Sequence, residues 1–177
     1  MSTSGDRHLR PEPSGKLKGL AAGPRTVLVR ADPTYAGTFS GQALLQLLVN
    51  LVCRQFGVID QVWLDVPPVP VHVRAFPFPR LQRGDLGQQL LALAETVGGN
   101  EVRVALGKPL KTPTVSVLVG PDIAPRSDST FTIVALGDGW NAFCSPDERS
   151  PEVRSSSVIP FGSLLGACHA AAAVFRY

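Results

Sequence analysis

The first structured stretch reads strand, loop, helix, strand, and this order confines the chain to α/β topologies. Thr26-Val27-Leu28-Val29-Arg30 is a short β-branched run of the kind that fills a buried parallel strand. From Gly41 to Phe56, Leu44, Leu47, Leu48, Leu51 and Val52 recur at three- and four-residue spacing, and Leu45 and Val49 widen the apolar face. Ser40 stands where an N-cap belongs and Gly57 where a helix stops. Ile59 to Val66, with Trp63 inside it, reads as the second strand. Parallel strands need a crossover, and a helix is the usual one. A helix this apolar must be covered on most of its surface, either between a sheet and another layer or at an interface.

The loop between strand and helix, residues 31–40, is the place where a nucleotide-binding crossover carries G-x-G-x-x-G. Here it reads Ala31-Asp32-Pro33-Thr34-Tyr35-Ala36-Gly37-Thr38-Phe39-Ser40, with Gly37 its only glycine. The unit is therefore a Rossmann-like domain that no longer binds a nucleotide, or one that binds something else. Two acids are candidate ligand groups. Asp32 follows the first strand, and Asp65 lies near the end of the second, where an acid would hold a ribose hydroxyl.

Beyond this unit, Asp85 to Val97 repeats leucines on one helical face and ends in Gly98-Gly99. Strands follow at Glu101–Leu106, Thr114–Val119 and Phe131–Leu136, with Gly107-Lys108-Pro109 as a turn. Pro67 to Arg80 alternates valines with prolines and reads as an extended segment, in which His72 is an exposed residue. Ser145 to Val158 is a polar surface loop. Pro160 to Tyr177 is a helix with proline at its first turn and a stripe of small residues, Gly162, Gly166, Ala170 and Ala173. The expected architecture is an α/β, Rossmann-like three-layer domain over residues 25–177, with a mixed, mainly parallel sheet. Residues 1–24, rich in Ser, Gly, Pro and basic side chains, are expected to form a flexible arm.

Composition removes several function classes. A net charge of +3 over 177 residues, without a dense Lys/Arg cluster, does not describe a nucleic-acid binder. No apolar run reaches the length of a membrane span. Cys53, Cys144 and Cys168 form neither a CxxC pair nor a metal-ligand spacing, and an odd cysteine count suits a reducing cytoplasm. There is no G-x-S-x-G elbow, no P-loop and no H-E-x-x-H. A carboxylate enzyme of open α/β type remains possible on sequence, because Asp32, Asp65, Asp122 and Asp138 all stand near strand ends.

Two stretches carry a resemblance. One is the first unit, Val27 to Phe56 with Ile59 to Asp65. The other is Ile159-Pro160-Phe161-Gly162-Ser163-Leu164-Leu165-Gly166-Ala167-Cys168-His169-Ala170-Ala171-Ala172-Ala173-Val174-Phe175-Arg176. Together they resemble the adenylation-domain family of ubiquitin-activating enzymes and the bacterial ThiF and MoeB proteins, whose corresponding helix opens on a Pro-x-Gly turn, runs through alanines and ends in Val-Phe-Arg/Lys. The departures are specific. Arg30-Ala31-Asp32-Pro33 replaces the ATP loop, neither Lys108 nor Lys111 matches the family's triphosphate-binding set, and the zinc-binding CxxC pairs are missing. The resemblance therefore implies an inactive adenylation half from a bacterial member. Such a half binds no cofactor itself and pairs pseudo-symmetrically with an active half that holds ATP, magnesium and the tail of a ubiquitin-like protein. Leu44, Leu48 and Leu51 on the first helix, and Phe161, Leu165 and Phe175 on the last, are the residues this reading assigns to the interface.

Overall fold

The computed structural model describes residues 25–72, 81–121, 123, 129–146 and 157–176. Six strands form one sheet: β1 (Arg25–Ala31), β2 (Ile59–Asp65), β3 (Arg103–Leu106), β4 (Val115–Val119), β5 (Phe131–Asp138) and β6 (Asn141–Ser145). Their spatial order is β3-β2-β1-β4-β5-β6. The first five are parallel and β6 returns antiparallel along the edge of β5. This is the α/β, Rossmann-like, mainly parallel mixed sheet that the alternation of elements predicts. The chain leaves β1 in one direction through β2 to β3, then crosses back to β4, so the order reverses between β1 and β4.

Four helices accompany the sheet: α1 (Pro33–Ala36), α2 (Phe39–Cys53), α3 (Leu86–Gly98) and α4 (Phe161–Arg176). α2 is the central one, touching α3 on one side and α4 on the other. All of α2 except Phe39, Leu47 and Leu51 is buried. That burial is why the sequence shows apolar residues around most of its circumference. Its side chains meet Val27 and Val29 of β1, Val62 and Leu64 of β2, and Val115 and Val117 of β4 in one core. On β1 and β4 the alternate residues Leu28, Ser116 and Leu118 are buried as well, so the middle of the sheet is covered on both faces, while Gln61 and Trp63 of β2 are half-buried.

Several boundaries differ from the sequence reading. α2 begins earlier, because Thr38 rather than Ser40 is its N-cap: the Gly41 N–H donates to Thr38 Oγ1 at 3.0 Å. α2 also ends earlier, at Cys53, with Arg54 as C-cap; Gly57 supplies a left-handed turn (φ 77°) just before β2. β6 was not expected. Gly139 (φ 57°) and Trp140 form the tight turn that brings it back along β5. Within the extended segment, Pro70 bridges to Asp85, and the buried Gln42 amide grips Pro70 O and the His72 N–H at 2.8 and 2.7 Å. The remainder of that segment from residue 73, the arm before residue 25 and Asp122 lie outside the described residues.

The start of the sheet and the end of the chain are tied by one side chain. Arg25, only 7% exposed, donates through Nη1 to the carbonyls of Val174 and Phe175 at 2.8 and 2.9 Å. Those are among the orphan carbonyls of the α4 C-terminus, and a buried cation suits both their lone pairs and the helix dipole. Arg25→Met is expected to cost about 2–3 kcal/mol, the worth of a charged hydrogen-bonding group. It should raise amide exchange selectively in the last turn of α4, measured by hydrogen exchange.

Candidate functional site

Open α/β sheets bind ligands beyond the carboxyl ends of the strands, at the point where strand order reverses. In this protein that point lies after Ala31 and Val119. It is filled by the chain itself. Asp32 turns the backbone out of β1, its N–H still donating to Val119 O at 2.9 Å. Its carboxylate accepts the Tyr35 N–H at 2.7 Å and so caps α1, with Pro33 pre-set for the first turn. The resulting single turn of helix drives Tyr35 into the crevice, where it is 1% exposed.

The Tyr35 hydroxyl makes two backbone bonds at its far end. It donates to Gly137 O at 2.6 Å and accepts the Gly137 N–H at 2.8 Å. Ser163 Oγ, from the first turn of α4, donates to the same carbonyl at 3.2 Å. The phenol therefore acts as a short rung on β5 and links the β1–α2 loop, β5 and α4. Burial pushes its pKa up to about 12.

Glycines make room for this insertion. Gly120 (φ 117°) follows β4, and a Cβ there would lie 2.6 Å from the Asp32 Cβ and 3.0 Å from that of Tyr35. Gly41 packs its Cα against the Tyr35 carbonyl, and Gly137 abuts the backbone of Gly162 and Ser163. In a phosphate-binding crossover, glycines let a ligand approach the backbone. Here the glycines at the corresponding edge admit Tyr35 and the N-terminus of α4 instead.

The other sequence-predicted acids are also engaged. Asp65 pairs with Arg30 across the β1–β2 register, Nε to Oδ2 3.2 Å, with both side chains roughly three-quarters buried. Asp138 accepts from Ser40 Oγ at 3.2 Å and from the Ser157 N–H at 3.1 Å, which anchors the approach to α4. Asp32, Asp65 and Asp138 thus serve a cap, an ion pair and a loop anchor. Among the described residues no group of three or more His, Cys, Asp or Glu is placed to hold a metal ion, and no helix is long and apolar enough to cross a membrane. His72 is exposed, and Cys53 is buried with its thiol pushed up to about 12 by desolvation.

Of the residues assigned to an interface, Leu44 and Leu48 are fully buried core and Leu51 is half-buried. Phe161, Leu165 and Phe175 are exposed. Tyr35 is the residue the sequence reading passed over. Its signal was present in Asp32-Pro33, a cap followed by a helix-initiating proline, which announces a helical turn where a phosphate loop would be open. Neither protein-family models nor curated proteins give a match to the chain.

Two outcomes follow from the buried phenol. Tyr35→Phe keeps the ring but leaves the Gly137 N–H without its Tyr35 partner and the Gly137 C=O with Ser163 Oγ in place of two donors, and is expected to cost about 2–3 kcal/mol in urea unfolding. The second concerns pH. The folded state holds the Tyr35 proton to about 12 and the unfolded chain loses it near 10.0. The Tyr35 contribution to stability is therefore complete below pH 10 and falls as pH rises toward 12, by roughly 1.4 kcal/mol per pH unit of that window. Cys53, raised from 9.0 to about 12, adds a loss of the same sign beginning one pH unit lower. Phenolate absorbance and unfolding midpoints across this range measure both.

Proposed function

We propose that this domain is the non-catalytic, pseudo-adenylation half of a ubiquitin-activating-like or ThiF-like enzyme. It lends structure and surface to an active adenylating half that holds ATP and magnesium. The observation that carries the reading is Tyr35. The strand order of a dinucleotide-binding sheet is kept, yet the crevice at its switch point is occupied by a side chain hydrogen-bonded to Gly137 at both backbone atoms. A triphosphate needs open amides at the start of the first crossover helix. At that place the Gly41 N–H is taken by Thr38, and Gly41 itself is closed off by the Tyr35 carbonyl.

The pairing of Arg30 with Asp65 supports the same conclusion, because the acid in the ribose position already has a cation. The competing picture of an enzyme working through strand-end carboxylates gains nothing from these acids, each of which has a structural partner. A fold retained without its ligand is retained for what it packs against. Pairing with an active half, and through it service to a ubiquitin-like protein in the bacterial cytoplasm, is the role the sequence resemblance adds.

Isothermal calorimetry with ATP and magnesium is expected to show no binding by this chain. Titration with a ThiF-type adenylating domain is expected to show association with a Kd in the micromolar range, about 8 kcal/mol. Micromolar ATP binding would overturn the inactive assignment. Failure to associate with adenylating domains would leave the plugged crevice in place but remove the adenylation partner.

A further inference from the structure

The small residues of α4 do different things along its length. In its first turns, Gly162 and Gly166 let the helix backbone lie directly on Asn141 and Leu136 of the β5–β6 hairpin, and neither position has room for a Cβ. Toward its end, Ala172 and Ala173 are too short to fill the space above the sheet, and a cavity of about 470 Å³ opens there. Its floor is apolar. Phe131 and Ile133 are alternate residues of β5 and so share one face of it, and Cys144 of β6 and Pro146 just after it complete that floor. Sites for small molecules run roughly from 300 to 1,000 Å³ and pair such apolar walls with a few placed polar groups. The cavity lies at the amino end of β5, away from the crevice that Tyr35 closes.

The polar groups at the rim fix the charge of an occupant. His169 and Arg176 stand on the same side of α4 as the two alanines, and both line the cavity. Arg176 is a permanent cation, and His169 offers an N–H donor in either protonation state. Among the described residues that line the cavity there is no carboxylate. Burial holds the Cys144 thiol above its ordinary pKa, so it stays neutral and sets no negative charge in the floor. The carbonyls that end α4 would repel an anion, but Arg25 satisfies those of Val174 and Phe175. We propose that this cavity binds a small organic acid with an apolar body, a medium-chain or aromatic carboxylic acid. Its carboxylate meets Arg176 and His169, and its hydrocarbon lies between the β5 floor and the two alanines. The inference rests on this cavity alone and not on the adenylation reading. Phe161, Leu165 and Phe175, which that reading gives to a partner, are not among the lining residues, so the two sites are separate.

Calorimetric titration of the full chain with octanoate is expected to show one site with a Kd on the order of 100 µM. Octanol has the same chain length and no charge, and should bind about tenfold more weakly, because it gains from the floor but not from the rim. Arg176→Gln should bring octanoate down to the octanol level and leave octanol unchanged. Ala172→Trp, at an exposed position, fills the cavity and should abolish binding of both, with circular dichroism and the unfolding midpoint near those of the parent. Nuclear Overhauser contacts from the octanoate chain should reach the Ile133 and Ala173 methyl groups. No octanoate binding up to about 5 mM, equal affinity for octanol, or binding that survives Ala172→Trp each overturns the proposal. So do contacts from octanoate to Phe161 and Leu165 in place of Ile133 and Ala173, which would mean adsorption on the outer face of α4.

Discussion

The hydroxyl of Tyr35 holds together parts of the molecule that are far apart in sequence. A parallel sheet fixes its strands through their ladders, but the loops beyond the strand ends have no ladder to join. In this protein one phenol supplies it. By pairing with both backbone atoms of Gly137 it binds the first crossover loop to β5, and Ser163 adds the start of α4 to the same carbonyl. The glycines at 41, 120 and 137 follow from that choice, because each gives up a Cβ so that Tyr35 or α4 can come close. A buried hydroxyl must be bonded on both its donor and acceptor sides to repay its desolvation, and this one is.

The same arrangement separates ancestry of shape from possession of a site. The order β3-β2-β1-β4-β5 creates a crevice between β1 and β4 whatever the loops contain. What enters it is decided by about ten residues after β1. With Asp32 as cap and Pro33 as first-turn residue, the backbone closes into α1 and the crevice is occupied from within. The carboxylates at the strand ends then face structural neighbours instead of solvent or ligand, and they read as polar joints of the scaffold.

How much of this was legible in the sequence depends on the range of the interactions involved. The first strand, the apolar helix and the alternation that implies a parallel sheet are local patterns, and they were readable from Val27, Leu44 to Val52 and Ile59 onward. The true N-cap was harder, because Thr38 and Ser40 are equally good capping residues; only the tertiary pull of Asp138 and Ser157 O on Ser40 tells them apart. β6 escaped notice because Asn141-Ala142-Phe143-Cys144-Ser145 is short and has no β-branched residue, and it becomes a strand only by pairing with β5. Leu44 and Leu48 belong to an amphipathic pattern that does not say whether sheet or partner covers it, and here α2 is enclosed by β strands, α3 and α4. Asp32-Pro33 announces the helical turn that carries Tyr35, but not where its hydroxyl ends, because its partner Gly137 is 102 residues away.

Gln42 has a consequence of another kind. Its amide is buried in α2, yet it holds the strap at Pro70 and His72 through main-chain atoms alone. It reads the strap's backbone and is blind to its side chains. Residue 70 needs only its carbonyl, and residue 72 only a peptide N–H. Positions 70 and 72 are therefore free to change their side chains over generations without losing this grip, so long as proline stays out of position 72, whereas Val69 and Val71 between and beside them are held by the core.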